Sequence, residues 1–148
     1  MKKSILFLLL LTGIIFSACS TSKQASFKEL FNTTWELEYI TGSRIAFNGL
    51  YPNKKPQITF DETTNQVSGT ASCNGYTAPY TINKNNITFG EPGPTTMMYC
   101  EGGGEQAFLE MMRKVTSFSI ENDRLSLIVD DLPVMRFKKV TTEPQMNN

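Results

Sequence analysis

The chain has 148 residues, with 14 basic and 14 acidic side chains, and is 40% apolar and 11% aromatic. That is one domain of ordinary size with enough apolar side chains for a core, and its zero net charge offers no basic surface for a phosphate backbone, so no nucleic-acid partner is expected. Histidine is absent, which excludes Ser–His–Asp and Cys–His catalysis and histidine-ligated metal, and leaves only carboxylates, lysine, tyrosine or thiols as reactive groups.

The chain opens with Lys2 and Lys3, an apolar run over residues 5–16, and then Ser17-Ala18-Cys19. A basic start, a short apolar stretch and small residues before a cut read as a secretory signal peptide over residues 1–18. The run is shorter than the ~20 apolar residues that a permanent transmembrane helix needs. Phe16-Ser17-Ala18-Cys19 resembles the bacterial lipobox, with phenylalanine where leucine is usual. That resemblance implies that Cys19 becomes the lipidated N-terminus of a membrane-anchored protein, since two or three acyl chains hold stably where one does not. The alternative is a soluble secreted protein cut near Ala18. Ser20, in place of a retention aspartate, points to the outer membrane of the cell envelope. Residues 19–29 then form a lipidated cysteine and polar tether, 30–140 the folded domain, and 141–148 a polar tail.

Within the domain, residues 27–31 suggest a helical turn. Trp35, Leu37 and Tyr39 alternate with glutamates, the period of a half-buried strand. Residues 40–53 form an excursion with Ile45, Phe47 and Leu50 turned inward. Strands follow at 57–60 and 66–72, joined by a polar loop containing Asp61-Glu62. Asn74-Gly75 marks a tight turn with positive φ. Strands at 80–82 and 86–89 flank Asn83-Lys84-Asn85, and the prolines and glycines of 90–94 exclude regular structure. Gly102-Gly103-Gly104 opens a helix over about 105–115, whose Ala107, Phe108, Met111, Met112 and Val115 share one face. Three strands close the chain at 117–121, 124–129 and 134–138, with turns at Asn122-Asp123 and residues 130–133. The expected fold is mainly β (α+β): a small curled antiparallel sheet or β-barrel of about eight strands with one packed helix.

The stretch over residues 69–100 organises this pattern, because it holds both cysteines outside the leader. With Cys19 lipidated and the protein exported, Cys73 and Cys100 are the remaining thiols in an oxidising compartment, and a disulfide is expected. The alternative is two buried thiols packed as small apolar groups.

Laid out this way, the chain resembles the META domain (HslJ-like) family of bacterial lipoproteins and secreted proteins. The resemblance rests on Trp35-Glu36-Leu37, Ile58-Thr59-Phe60, Gly69-x-x-x-Cys73-Asn74-x-Tyr76, Thr96-x-Met98-x-Cys100, Glu105-x-x-Phe108-Leu109 and Leu125-x-Leu127. It implies a compact barrel loosely similar to a lipocalin with a helix packed on it, no established enzymatic activity, and a broad association with envelope stress, antibiotic tolerance and motility.

Other features point to bland roles. Met97, Met98, Met111 and Met112 suggest copper, but the helix pair is better read as core filling. Glu101 and Glu105 flank a glycine run that lacks the Gly-Lys-Ser/Thr ending of a phosphate loop. Asp61-Glu62 and Asp130-Asp131 are turn residues. No cofactor or metal is expected. Tyr51, Tyr76 and Tyr80 neighbour turns where a barrel mouth would lie and are candidate ligand-lining residues. The sequence therefore predicts a monomeric, non-enzymatic envelope lipoprotein with an envelope-protein partner, or else a small-molecule binding module of lipocalin type.

Overall fold

The computed structural model describes residues 27–140 other than positions 32, 95 and 97. The signal peptide, Cys19, the tether up to residue 26, Met97 and the tail 141–148 lie outside the described residues.

Among the described residues there are nine strands: β1 (Thr34–Ile40), β2 (Gln57–Asp61), β3 (Gln66–Thr70), β4 (Gly75–Asn83), β5 (Asn86–Phe89), β6 (Gly93–Pro94), β7 (Ser117–Glu121), β8 (Arg124–Val129) and β9 (Leu132–Lys139). All are antiparallel to their neighbours. Eight of them close into a ring in the order β1-β2-β3-β4-β5-β7-β8-β9, while β6 adds a short pairing to the start of β4. Two helices stand in the connections, α1 (Phe47–Leu50) and α2 (Gly104–Met112), and residues 27–30 are also helical. The mainly β barrel read from the sequence is the observed architecture.

Closure follows from local chemistry. The inward positions of the alternating strands are apolar: Trp35 and Leu37 on β1, Ile58 and Phe60 on β2, Leu125 and Leu127 on β8, Met135 and Phe137 on β9, all fully buried. Each such side chain adds roughly 1.5–3 kcal/mol when withdrawn from water. Irregular pairings at Glu38 on β1 and between Leu127 and Ile128 on β8 mark where these strands bend around the ring. Tight reversals are supplied by left-handed residues: Asn122 and Asp123 between β7 and β8, Asp130 and Asp131 between β8 and β9, and Lys84 between β4 and β5. Asp61 shapes the β2–β3 hairpin by accepting from the backbone N–H groups of Thr63 and Thr64, and these bonds together with the Thr63 hydroxyl hold its carboxyl below the usual range.

Several local expectations are corrected. The third strand stops at Thr70 rather than Ser72, and Ala71 and Ser72 turn away as buried residues. The strand expected over 80–82 begins at Gly75, since one edge of β4 pairs with β3 from Gly75 to Pro79 before its other edge meets β5. Gly93 and Pro94, expected to be irregular, form the short β6. The last turn is only Asp130-Asp131, so Leu132 and Pro133 belong to β9. The helix ends at Met112, preceded by a 3-10 turn over Glu101–Gly103. Ile45, expected inside, is 52% exposed.

Because the ring runs up and down, its connections fall into two groups. Chain entry at β1, chain exit at β9 and the hairpins β2–β3, β4–β5 and β7–β8 lie at one end. The long connection 41–56, the 71–74 bend, the 90–116 excursion carrying α2, and the β8–β9 turn lie at the other. The α2 helix plugs that second end, its Phe108 ring meeting Tyr76 at 5.6 Å and Phe137 at 6.3 Å between centroids. The axis is thus filled by Trp35, Phe60, Phe108 and Phe137, each 0% exposed, where a lipocalin would keep space for a ligand.

On the outer face, Glu38 accepts from Arg124 at 2.8 Å and from Arg136 at 2.9 Å. Burial pushes its carboxyl up, but the two guanidinium groups outweigh that and set it below its ordinary value of 4.5. A lowered carboxylate stabilises the fold above its unfolded pKa, and this contribution is lost as pH falls through the folded value. Glu38→Gln should therefore cost up to about 1 kcal/mol at pH 7 and nothing measurable near pH 3. Urea unfolding of both proteins across that range checks it, and a pH-independent difference would contradict the ion pairs.

Candidate functional site: the Asn74 network at the plugged end

The bend after β3 carries Cys73 and Asn74 beneath the loop that leads into α2. Cys73 and Cys100 are joined as a disulfide, with Cα atoms 5.9 Å apart and 27 residues between them in the chain. Beside it Asn74 is 5% exposed, one of the few buried polar residues. Its Oδ1 accepts from the Thr96 hydroxyl at 2.8 Å and from the Met98 N–H at 2.9 Å. Its Nδ2 donates to the Met98 carbonyl at 2.8 Å, to Glu105 Oε1 at 3.1 Å and to Cys100 Sγ at 3.3 Å. Two hydrogens serve three acceptors, so one is shared. The Asn74 backbone N–H reaches Glu105 Oε2 at 3.3 Å, and Gly75 N–H donates to Thr96 Oγ1 at 3.4 Å. Donors on one side and acceptors on the other fix the amide's orientation, because a flipped amide would face oxygen with oxygen.

The positive-φ turn expected at Asn74-Gly75 is absent: neither residue is left-handed, and Gly75 starts β4. Asn74 acts through its side chain, which mimics a strand partner for Met98 by engaging both its N–H and its C=O. The left-handed residues are instead Gly102 and Gly103, at φ 85° and 69°. A Cβ on Gly102 would strike the carbonyls of Gly49 and Leu50, and one on Gly104 would strike the Leu50 carbonyl and the Tyr51 ring. The triple glycine therefore lets α1 and the start of α2 meet at backbone distance.

The structure brings together five of the sequence-selected residues, Cys73, Asn74, Thr96, Cys100 and Glu105, with the Met98 backbone. The others serve elsewhere. Trp35 is buried, and its indole donates to the Leu30 carbonyl at 3.3 Å. Gly69 sits where a Cβ would overlap the Gln57 carbonyl across the β2–β3 pair. Phe108 is the plug. The three tyrosines are core residues rather than an exposed mouth lining. Tyr51, Tyr76 and Tyr80 are 4%, 3% and 4% exposed. Their hydroxyls donate to the carbonyls of Gly104, Gln57 and Asp61. Burial raises the Tyr51 and Tyr76 phenols, and burial with Asp61 and Glu62 nearby raises Tyr80, so all three remain protonated donors.

Tyr76 alone of the three borders a surface pocket of about 250 Å³, shared with Asn74, Pro92, Glu105, Leu109 and Arg113. Leu109 entered the sequence reading only as part of the Glu105-x-x-Phe108-Leu109 motif and Arg113 was not a candidate site residue, although their spacing from Glu105 at four and eight residues places all three on one face of the helix. Tyr99 was also missed. It is 91% exposed, and Met98 beside it is 58% exposed. No motif marks an exposed tyrosine; its setting between two clamped residues is visible only in three dimensions.

Fold and site together define a closed antiparallel β domain, plugged by one helix and stapled at that end by a disulfide and a buried amide network. The META domain family matches residues 28–141, and the chain belongs to that family. None of the curated proteins matches. Among solved structures, the chain is similar to a protein from Burkholderia xenovorans determined by NMR, with 22% identity, TM-score 0.61, and coverage of 84% of this chain and 94% of that one. It is also similar to a second NMR structure, at 16% identity and TM-score 0.54 with 80% and 95% covered. A third, a duf4847 family protein from Bacteroides vulgatus, has 9% identity and TM-score 0.50 with 74% and 92% covered. At these identities the likeness establishes the fold.

Proposed function

We propose that this is a non-enzymatic, lipid-anchored envelope protein whose META domain docks a protein partner through the loops at its plugged end. The observation that carries this is Tyr99. Its ring is free, while Met98 before it is held at both N–H and C=O by Asn74 and Cys100 after it is held by the disulfide. An aromatic side chain held on a fixed backbone loses little further freedom on binding, which is the character of an interface anchor. Chain entry at the opposite end supports the orientation: an anchor at Cys19 would leave the Tyr99 loop facing away from the bilayer. The filled axis also favours a surface role over a lipocalin-like chamber. A role in envelope stress or antibiotic tolerance fits such a docking module.

A photocrosslinking residue at position 99, in living cells, should trap one defined partner that the same residue at position 122, on the entry end, does not. Tyr99→Ala should abolish function while changing the unfolding free energy by less than about 0.5 kcal/mol. Equal capture from both ends would sink the docking reading. Incorporation of labelled palmitate, lost in Cys19→Ser, tests the anchor separately.

A second reading is a small-ligand site in the 250 Å³ pocket, whose Tyr76 and Leu109 offer apolar walls between Glu105 and Arg113. Native mass spectrometry of the gently purified protein should then show added mass that denaturation removes.

A further inference from the structure

Asn74 holds the Glu105 carboxylate against the disulfide through its backbone N–H and its Nδ2. Glu105 Oε2 lies 3.0 Å from Cys100 Sγ, yet a disulfide sulfur carries no hydrogen to donate. Cys73 Sγ, Cys100 Sγ and a Glu105 carboxylate oxygen all lie within 4.8 Å of one another, and they come from the 71–74 bend, the loop before α2 and the first turn of α2. Two sulfurs and a carboxylate converging from separate segments form the donor set of a zinc site once the sulfurs are freed.

We propose that the reduced protein holds Zn²⁺ at Cys73, Cys100 and Glu105, and that disulfide formation releases the ion. A dithiol reductant gives two electrons and two protons to the S–S bond, which breaks into two thiols while the reductant closes its own disulfide. Zn²⁺ then displaces both thiol protons to solvent and takes two thiolates, the carboxylate and one water. Tetrahedral Zn–S bonds of about 2.3 Å need sulfurs roughly 3.8 Å apart, which rotation about the two cysteine side chains supplies. In the reverse direction, the disulfide form of a dithiol compound accepts two electrons from the thiolates and two protons from solvent, its own S–S bond opening to the dithiol as the protein S–S bond re-forms and Zn²⁺ leaves.

Asn74 already has the role of an outer-shell residue for such a centre. Its Nδ2 spans Glu105 Oε1 and Cys100 Sγ and its backbone N–H meets Glu105 Oε2, so one neutral group orients two of the three ligands. Without a cation, two thiolates and a carboxylate at this spacing would repel one another; a divalent ion removes that repulsion. Met98 enters the network through its backbone, and Met112 is core.

The test uses the full chain purified in detergent, reduced with a phosphine that does not compete for metal, then titrated with Zn²⁺ against a chromophoric chelator. The expected result is one Zn²⁺ per reduced chain, bound about 100-fold tighter than by the oxidised chain. Co²⁺ in its place should give thiolate-to-metal charge-transfer absorption. Glu105→Gln should weaken binding about 10-fold or more. Far-ultraviolet circular dichroism follows the fold throughout. Equal binding by reduced and oxidised chains, or reduced binding that Glu105→Gln leaves unchanged, as it would be by thiols of an unfolded chain, overturns the proposal.

Discussion

Asn74→Ala is expected to lower the unfolding free energy by about 3–5 kcal/mol, a large share of a small domain's margin. The methyl group leaves the Met98 N–H, the Met98 carbonyl, the Thr96 hydroxyl and the Glu105 carboxylate without the partner each now has. Each group stranded in a half-buried site costs roughly 1 kcal/mol or more. Asn74→Asp has nearly the same shape but exchanges the donor for a negative oxygen facing Glu105 and the Met98 carbonyl. At neutral pH it should be at least as destabilised as Asn74→Ala. The introduced carboxyl has a folded pKa above its unfolded value, so its penalty is smallest at low pH and grows as pH rises. Urea unfolding at pH 4 and pH 7, each referred to the parent protein, should show that growth for Asn74→Asp and a nearly constant loss for Asn74→Ala. A flat difference in both would mean that the amide's donors do not hold the loop.

Removing the disulfide by Cys73→Ser with Cys100→Ser should cost about 3–4 kcal/mol. In the chain-entropy view, closing a loop with 27 residues of separation withdraws that much freedom from the unfolded chain. The loss should lower the thermal midpoint by roughly 10–20 °C. The slowest amides of the β1–β9–β8 wall, which exchange through global unfolding, should lose protection by that global amount, while Tyr99 and Cys100 should exchange faster still because their segment also opens locally. No greater loss at Tyr99 and Cys100 than in the wall would mean that the disulfide acts only through the unfolded chain. Combining these changes with Asn74→Ala should be less than additive, because amide and disulfide hold the same loop.

The strand pattern was largely legible. Strands β5, β7 and β8 match the expected ranges at both ends, because a period of two and turn residues such as Asn122-Asp123 act within a few positions of the chain. The disulfide was legible too, from the cysteine count and the expectation that the chain is exported. Where reading failed, the deciding partner was distant. Asn74-Gly75 looks like a turn to its neighbours, but its side chain is claimed by residues 22 to 31 positions away. The three tyrosines look like a mouth because they sit near turns; closure of the ring buries their rings, and their hydroxyls find carbonyls on other segments.

What the sequence determined by itself is therefore the set of strands, the tight hairpins, the apolar inner face and the cysteine pair, all products of short-range backbone preference and of composition. Only the tertiary structure decided that Gly102 and Gly104 are glycines because α1 presses on them, that Asn74 and Glu105 converge on the disulfide, and that Tyr99 stands free. Those placements follow from packing α2 into the open end of a ring whose axis its Phe108 helps to fill, and packing between segments far apart in the chain leaves no local signal in the residues that undergo it.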